Sequence, residues 1–162
     1  MAGEDTQFLH EVARRTPVRH ETDVLVVGGG SAGVAAAVAA ARNGADVMLV
    51  ERYGYLGGLA TGGLIILLLT LDDGRGHQVI AGLCQELVDR LARRDAAWFP
   101  PRQEWGLDDQ ALIQRDFRRG LVWGHAPHRV RYSAAFDPEE MKYILNEMVE
   151  DAGVRLLLHA WA

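Results

Sequence analysis

Residues 23–58, "DVLVVGGGSAGVAAAVAAARNGADVMLVERYGYLGG", contain eight glycines and decide the fold. The stretch starts with an apolar run, Val24 to Val27, typical of a parallel strand covered on both faces. Strong helix formers with few polar residues fill 32–43, which predicts a buried helix, and Gly44 is placed to end it. Val47 to Val50 is a second apolar strand. This order predicts a right-handed βαβ unit with parallel strands.

Three glycines with the spacing G-x-G-x-x-G, Gly28, Gly30 and Gly33, lie between the first strand and the helix. The first glycine permits a tight turn, the second lets a pyrophosphate approach the backbone, and the third lets helix and strand pack closely. A phosphate would then meet the helix N-terminus at Ser31 and Ala32, where free N–H groups and the helix dipole favour an anion.

An acidic residue, Glu51, ends the second strand 23 residues after Gly28. This is where a carboxylate accepts hydrogen bonds from the ribose of a bound dinucleotide, and it disfavours a 2′-phosphate. Arg52 is the next candidate contact, although strand alternation turns it to the other face. The alternative is an ordinary glycine turn with a solvated acid. The complete order of strand, helix, strand and acid favours the dinucleotide site.

The segment "ERYGYLGGLATGG", residues 51–63, bears on which dinucleotide binds. It has five glycines within ten residues, where a nicotinamide-binding domain would normally enter another helix. Such a backbone can pass close to a flat or anionic group, which favours an extended cofactor. A flexible surface loop is the alternative, but the following "LIILLLTL" at 64–71 is too apolar for a solvated linker. We expect that run to be a buried strand or helix segment.

The remainder of the chain predicts two helices around an irregular stretch. Apolar spacing from Val79 to Arg94 indicates an amphipathic helix, whereas residues 95–136 have no sustained period and predict loops and short strands. Asp137, followed by Pro138, is typical of a helix start. The apolar stripe of that helix comprises Met141, Ile144, Leu145, Met148, Val149 and Ala152, with Gly153 as its cap and "VRLLLH" as the next strand.

Residues 23–64, from "DVLVVGGGSAG" to "LGGLATGGL", resemble the N-terminal segment of FAD-dependent oxidoreductases with the glutathione-reductase-like flavin fold. The segment "FDPEEMKYILNEMVEDAGVRLLLHA" is similar to a later helix and strand of that family. The resemblance is close over 22–72 and good over 136–160. It implies an α/β fold, a Rossmann-like βαβ FAD-binding domain with a parallel sheet, which this chain represents incompletely.

The resemblance also implies a role for particular residues. Gly28, Gly30 and Gly33 would face the FAD pyrophosphate and Glu51 the adenosine ribose. Gly57, Gly58 and Thr61 would lie along the phosphate and flavin side. The implied activity is that of an FAD-dependent oxidoreductase, with hydride transfer between FAD and a small organic substrate and no catalytic residue identified. The isolated 162 residues are expected to be inactive.

The resemblance sets expectations for the domains. Residues 1–21 are expected to be a polar lead-in and 22–162 the N-terminal part of an FAD-binding domain, with 95–136 as an irregular insert. Family members usually have more than twice this length, so a missing C-terminal half or self-association is expected to complete the protein. A fragment, a truncated gene and a split protein stay open, as do two other readings, an NAD-binding domain and a non-catalytic structural or interaction module.

Composition narrows the partners and the compartment. The net charge of −5 without a basic face gives no support for nucleic-acid binding. The apolar run at 64–71 has less than half the length of a membrane span, and no segment resembles a signal peptide. A single cysteine, Cys84, cannot form an internal disulfide, which favours a cytoplasmic location.

Several polar residues are weaker candidates. Cys84 falls on an apolar helix stripe and is expected to be structural, whereas His77 is either an acid or base near the flavin or a loop tip. His125 and His128 have a spacing that a metal could use, but loop histidines are favoured and no metal site is expected. Five arginines could clamp a carboxylate, although neighbouring aspartates favour a mixed-charge surface. They are Arg115, Arg118, Arg119, Arg129 and Arg131.

Overall fold

The computed structural model describes residues 8–9, 11–125 and 129–161. Three parallel strands form the first sheet: β1 (Val24–Val27), β2 (Val47–Val50) and β6 (Arg155–Leu157), in the order β1-β2-β6. In the register, Val26 lies beside Leu49, and Leu49 lies beside Leu156. The α/β class and the parallel βαβ unit predicted from the sequence are confirmed.

Helix α1 (Ser31–Arg42) connects the first two strands and packs on one face of the sheet. Val34, Ala37 and Val38 are buried against the core, but Ala36 and Ala39 are exposed. The prediction of a helix buried on all sides is therefore wrong, since only one face of α1 meets other elements. Alanine tolerates this exposure because it has little apolar surface and a high helix propensity.

Helix α4 (Pro138–Asp151) completes this layer and begins as the sequence predicts. The Asp137 carboxylate accepts hydrogen bonds from the N–H groups of Glu139 (2.8 Å) and Glu140 (3.1 Å), and Gly153 follows the helix with φ +74°. The predicted stripe is buried except for Ala152, which is partly buried.

Two predictions for residues 64–94 are wrong in part. Helix α2 spans Leu83–Ala92 rather than starting at Val79, because Gly82 has φ 59° and ψ −130°, which no helix residue adopts. The run at 64–71 forms only a two-residue strand, β3 (Leu67–Leu68). Leu64, Ile65 and Leu69 are exposed, so most of this run is not the buried segment that the sequence predicts.

The stretch 95–136 contains the short strands that the sequence predicts and a helix that it does not. Strands β4 (Ala97–Trp98) and β5 (Ala134–Phe136) join β3 in a small antiparallel sheet with the order β3-β5-β4. Helix α3 (Gln110–Arg118) was not predicted, although its start carries a recognisable signal. The Asp109 carboxylate caps it by accepting from the N–H groups of Ala111 (2.8 Å) and Leu112 (3.3 Å).

The face of the first sheet that points away from α1 is only partly covered, since Met48 is buried on it whereas Leu25 and Val27 are exposed. Leu25, Met48 and Arg155 form one lateral row on this face, and Val27, Val50 and Leu157 form the next. Leu25 and Val27 are 56% and 61% exposed. Residues 8–9 and 11–21 are exposed and form neither helix nor strand. None of the helices in the described ranges is both long and apolar enough to cross a membrane.

Candidate dinucleotide-binding site

The glycine turn joins the end of β1 to the start of α1. Gly28 has φ +100°, a backbone conformation that is strained for any residue with a side chain. Its N–H donates to the Val50 carbonyl of β2 at 2.8 Å. Gly30 is the N-cap of α1, where no side chain makes a capping hydrogen bond, and the first turn contains no acidic residue. The positive end of α1, at Ser31 and Ala32, is thus without a counter-charge from its own first turn.

Gly30 and Gly33 serve different purposes. A Cβ added to Gly33 would lie 1.8 Å from the Gly28 carbonyl oxygen, so this glycine allows α1 to pack against the turn. A Cβ added to Gly30 would meet no atom within 4 Å. Its φ of −66° and ψ of 178° are open to any residue. Gly30 therefore borders open space, and the fold itself does not demand a glycine there.

Glu51 lies between β2 and the open space at Gly30. Its carboxylate is 7% exposed and accepts the N–H of Gly29 at 2.6 Å and that of Tyr53 at 2.8 Å. One oxygen takes each bond, and a carboxylate has about four acceptor positions, so capacity for further hydroxyl donors remains. The acid is thus held directly against the glycine turn.

A cleft of about 250 Å³ opens beside Glu51, between the ends of the three parallel strands. Gly28, Arg52 and Trp161 line it together with Glu51. The Arg52 guanidinium carbon lies 4.5 Å from the Tyr53 ring centre and 5.7 Å from that of Trp161. Cation–π contacts with these two rings thus hold Arg52 at the cleft. The contact with Trp161 could not be predicted from the position of Arg52 in the sequence.

The second glycine pair, Gly57 and Gly58, lies against the first turn. The Gly57 N–H donates to the Gly29 carbonyl at 2.8 Å, and a Cβ on Gly58 would be 3.2 Å from the Gly30 Cα. Both glycines have positive φ, 103° and 55°. The fold thus brings together two glycine segments that are 27 residues apart in the sequence.

Thr61 lies beneath this second turn rather than at its surface. It is completely buried, and its hydroxyl donates to the Leu56 carbonyl at 2.6 Å. Its side chain therefore stabilises the turn from inside. A place for Thr61 along a cofactor stays a prediction.

The weaker candidates do not gather at this site. His77 is exposed and its Nδ1 lies 2.8 Å from the Asp73 carboxylate, and this hydrogen bond lowers the pKa of Asp73 to about 2. Cys84 is partly buried, and burial raises the pKa of its thiol. His125 is exposed and His128 lies outside the described residues. Within 8–9, 11–125 and 129–161, no three potential metal ligands come together.

The five arginines also occupy different places. Arg115 pairs with Glu104 and Asp116, consistent with the predicted mixed-charge surface. Arg131 is buried. Arg119 lines an apolar cavity at the small sheet.

Comparison with protein families identifies the chain's relatives. The family described as FAD dependent oxidoreductase matches residues 23–162. The chain belongs to this family. FAD is thus the cofactor, as the sequence resemblance implies, and the site fits its adenosine diphosphate half. Open space at Gly30 suits a pyrophosphate, the uncapped helix start suits its charge, and the buried Glu51 carboxylate suits ribose hydroxyls.

A solved structure has a similar fold. The L-amino acid deaminase from Proteus myxofaciens in complex with anthranilate matches 90% of this chain with a TM-score of 0.50 and 14% identity. THI4 from Thermovibrio ammonificans matches 85% with a TM-score of 0.46 and 19% identity. The chain covers 40% and 38% of those two chains, respectively. It therefore spans about two fifths of the length of the structures it matches.

Proposed function

We propose that this chain forms the adenosine- and pyrophosphate-binding part of a flavin-dependent oxidoreductase. The pyrophosphate would lie over Gly28 and Gly30 at the start of α1, and Glu51 would bind the ribose hydroxyls. The observation that carries this proposal is the 2.6 Å hydrogen bond from the Gly29 N–H to Glu51. That bond holds the ribose-binding carboxylate against the phosphate-binding turn.

The chain's other contribution is to orient the cofactor. Gly57 and Gly58 would border the path from the pyrophosphate towards the flavin, because they pack on Gly29 and Gly30. Bound FAD supplies the redox chemistry by accepting a hydride from a small organic substrate. The protein's own part is then binding, orientation and exclusion of water, which needs no catalytic acid or base among these residues.

We further propose that residues 22–162 act as one portion of a larger FAD-binding unit. The exposed side chains of Leu25, Val27 and Leu157 support this, because apolar sheet faces are normally packed. A further segment of the protein or a second copy would cover this face. Residues 1–21 would stay outside the domain as a polar lead-in.

Calorimetric titration of the purified protein with FAD, ADP and NAD⁺ tests this function. FAD is expected to bind more tightly than ADP, since the turn at Gly57 adds contacts to the flavin side. NAD⁺ is expected to bind no more tightly than ADP. Preference for NAD⁺ over FAD would instead support a nicotinamide-binding domain.

A further inference from the structure

We infer that the cavity between the small antiparallel sheet and the end of α3 binds a small carboxylate with a flat, apolar body. This inference rests on the proposed function, because the ligand would be the oxidoreductase's substrate. The cavity measures about 550 Å³, within the range of small-molecule sites. Its lining consists of Ala97, Trp98, Phe99, Arg119, Leu121 and Ala135.

Arg119 provides the charge that selects an anion. Within the described part of the chain, Arg119 is the single ionisable residue of the cavity lining and forms no ion pair. The nearest acid in the sequence, Asp116, is already paired with Arg115. Arg119 is exposed, so its guanidinium can be reached by a ligand that enters from solvent. A guanidinium presents a planar pair of donors that matches a carboxylate.

Trp98 favours a flat ligand body. Its side chain is 54% exposed although it stands beside the apolar residues of β4 and β5. Phe99, the next residue, packs edge-on against Tyr132 and is thereby held in place. An aromatic ring in the cavity would cover the exposed indole and gain stacking contacts, which an aliphatic chain cannot match.

The sheet connects this cavity to the second glycine turn. Ala135 in the cavity wall pairs with Leu67 of β3, which is four residues after Gly63. Four residues span at most about 15 Å, and neighbouring strands are about 5 Å apart. The Gly63 N–H donates to the Gly58 carbonyl at 3.2 Å, so the cavity wall lies within about 25 Å of the segment proposed to border the flavin.

The test is a titration of the purified chain with benzoate and with benzamide, its uncharged counterpart, followed by tryptophan fluorescence. Benzoate is expected to bind saturably and more tightly than benzamide. Arg119→Gln should weaken benzoate binding roughly ten-fold to a hundred-fold and leave benzamide binding unchanged. The matched control is Arg118→Gln, which removes the same charge from the adjacent residue and should change neither affinity, because Arg118 is exposed like Arg119 but does not line the cavity.

Three results would overturn the inference: no saturable benzoate binding, equal binding of benzoate and benzamide, or equal weakening by Arg118→Gln and Arg119→Gln. Trp98→Leu supplies a second check, because it should abolish the fluorescence change that benzoate causes. FAD affinity is measured separately on each variant and should not change. If the unaltered protein does not bind FAD, the proposed function is wrong. If it binds FAD but not benzoate, the proposal of a carboxylate site in this cavity is wrong.

Discussion

Gly30 and Gly33 show how two glycines of one motif make separable contributions. The fold accepts a side chain at Gly30, where a Cβ meets nothing within 4 Å, but not at Gly33, where it would collide with the Gly28 carbonyl. Gly30→Val should therefore fold normally and lose FAD binding, because the side chain occupies the proposed pyrophosphate position. Thermal unfolding and FAD titration measure the two effects. Ala39→Val, an exposed change on the same helix, should alter neither. Full FAD affinity in Gly30→Val would exclude this position from the site.

Gly33→Ala is expected to act in the opposite way. An added methyl group 1.8 Å from a backbone oxygen forces α1 away from the turn. The variant should lose stability, by about 1–3 kcal/mol as for other overpacked positions, and chemical denaturation measures that loss. Stability equal to that of the unaltered protein would show that α1 and the turn are less tightly packed than the structure indicates.

Glu51 combines a structural and a binding contribution. Removing its carboxylate leaves the buried Gly29 N–H without an acceptor, which typically costs about 1–3 kcal/mol. Glu51→Ala should therefore lower the free energy of unfolding as well as weakening FAD roughly ten-fold to a hundred-fold through lost ribose contacts. Denaturation and titration of the same samples separate the two. A loss of stability with unchanged FAD affinity would leave Glu51 as a structural residue only.

At the scale of elements, an ion-pair cluster joins the ends of three helices. The Glu86 carboxylate of α2 accepts hydrogen bonds from both terminal nitrogens of Arg42 in α1, at 2.6 and 2.8 Å. Arg90 contacts Glu86 and also Asp151 of α4, at 2.9 and 2.7 Å. Hydrogen bonds from Arg42 and then Arg90 lower the pKa of Glu86 from its ordinary 4.5 to about 2. The cluster thus ties α1, α2 and α4 together.

The lowered pKa makes this stabilisation depend on pH. The unfolded chain takes up its proton near pH 4.5 and the folded protein only near pH 2, so the contribution is complete above pH 4.5 and lost as the pH falls towards 2. The stability difference between the unaltered protein and Glu86→Gln should shrink over that range. Glu150→Gln, an exposed change on α4, is the control. A difference that does not vary with pH would contradict this account of the cluster.

The elements that the sequence predicts best are those with strong local signals. Helix α4 has an aspartate cap, a proline and a regular apolar stripe, and each is found where expected. Helix α3 escaped prediction because it is short and polar, and its aspartate cap stands among other acids. The prediction that the run at 64–71 is buried is wrong for another reason. Its apolar content suggested burial, but exposure depends on what packs above it, which local sequence does not encode.

At the scale of the whole molecule, the first sheet carries helices on one face and several exposed apolar side chains on the other. Leu25 and Val27 lie on the bare face, more than half exposed. Such a face favours association with another surface. The double variant Leu25→Thr, Val27→Thr should keep its fold and self-associate less, as measured by light scattering after gel filtration. A monomeric unaltered chain at every concentration tested would contradict the prediction that this face causes self-association.

The glycine spacing and Glu51 locate the candidate site in the sequence because the βαβ unit fixes where strand ends and helix starts meet. Two features could not be predicted from residue spacing, although the family resemblance already implied that Gly57 and Gly58 lie on the phosphate and flavin side. The packing of Gly57 and Gly58 on Gly29 and Gly30 depends on the path of the intervening chain, and the cavity at Arg119 depends on a sheet assembled from three distant segments. Both arise from long-range contacts that spacing alone does not reveal.

The central claim is that FAD lies across the two glycine turns with its ribose at Glu51. A titration of the isotope-labelled protein with ADP and with FAD, followed by amide NMR, tests it most directly. We predict that both ligands shift the amide signals of Gly30, Ser31, Ala32 and Glu51, and that only FAD shifts those of Gly57 and Gly58. The same titration of Gly30→Val should leave these signals in place. Saturable shifts confined to other residues, or unchanged shifts in Gly30→Val, would contradict the account.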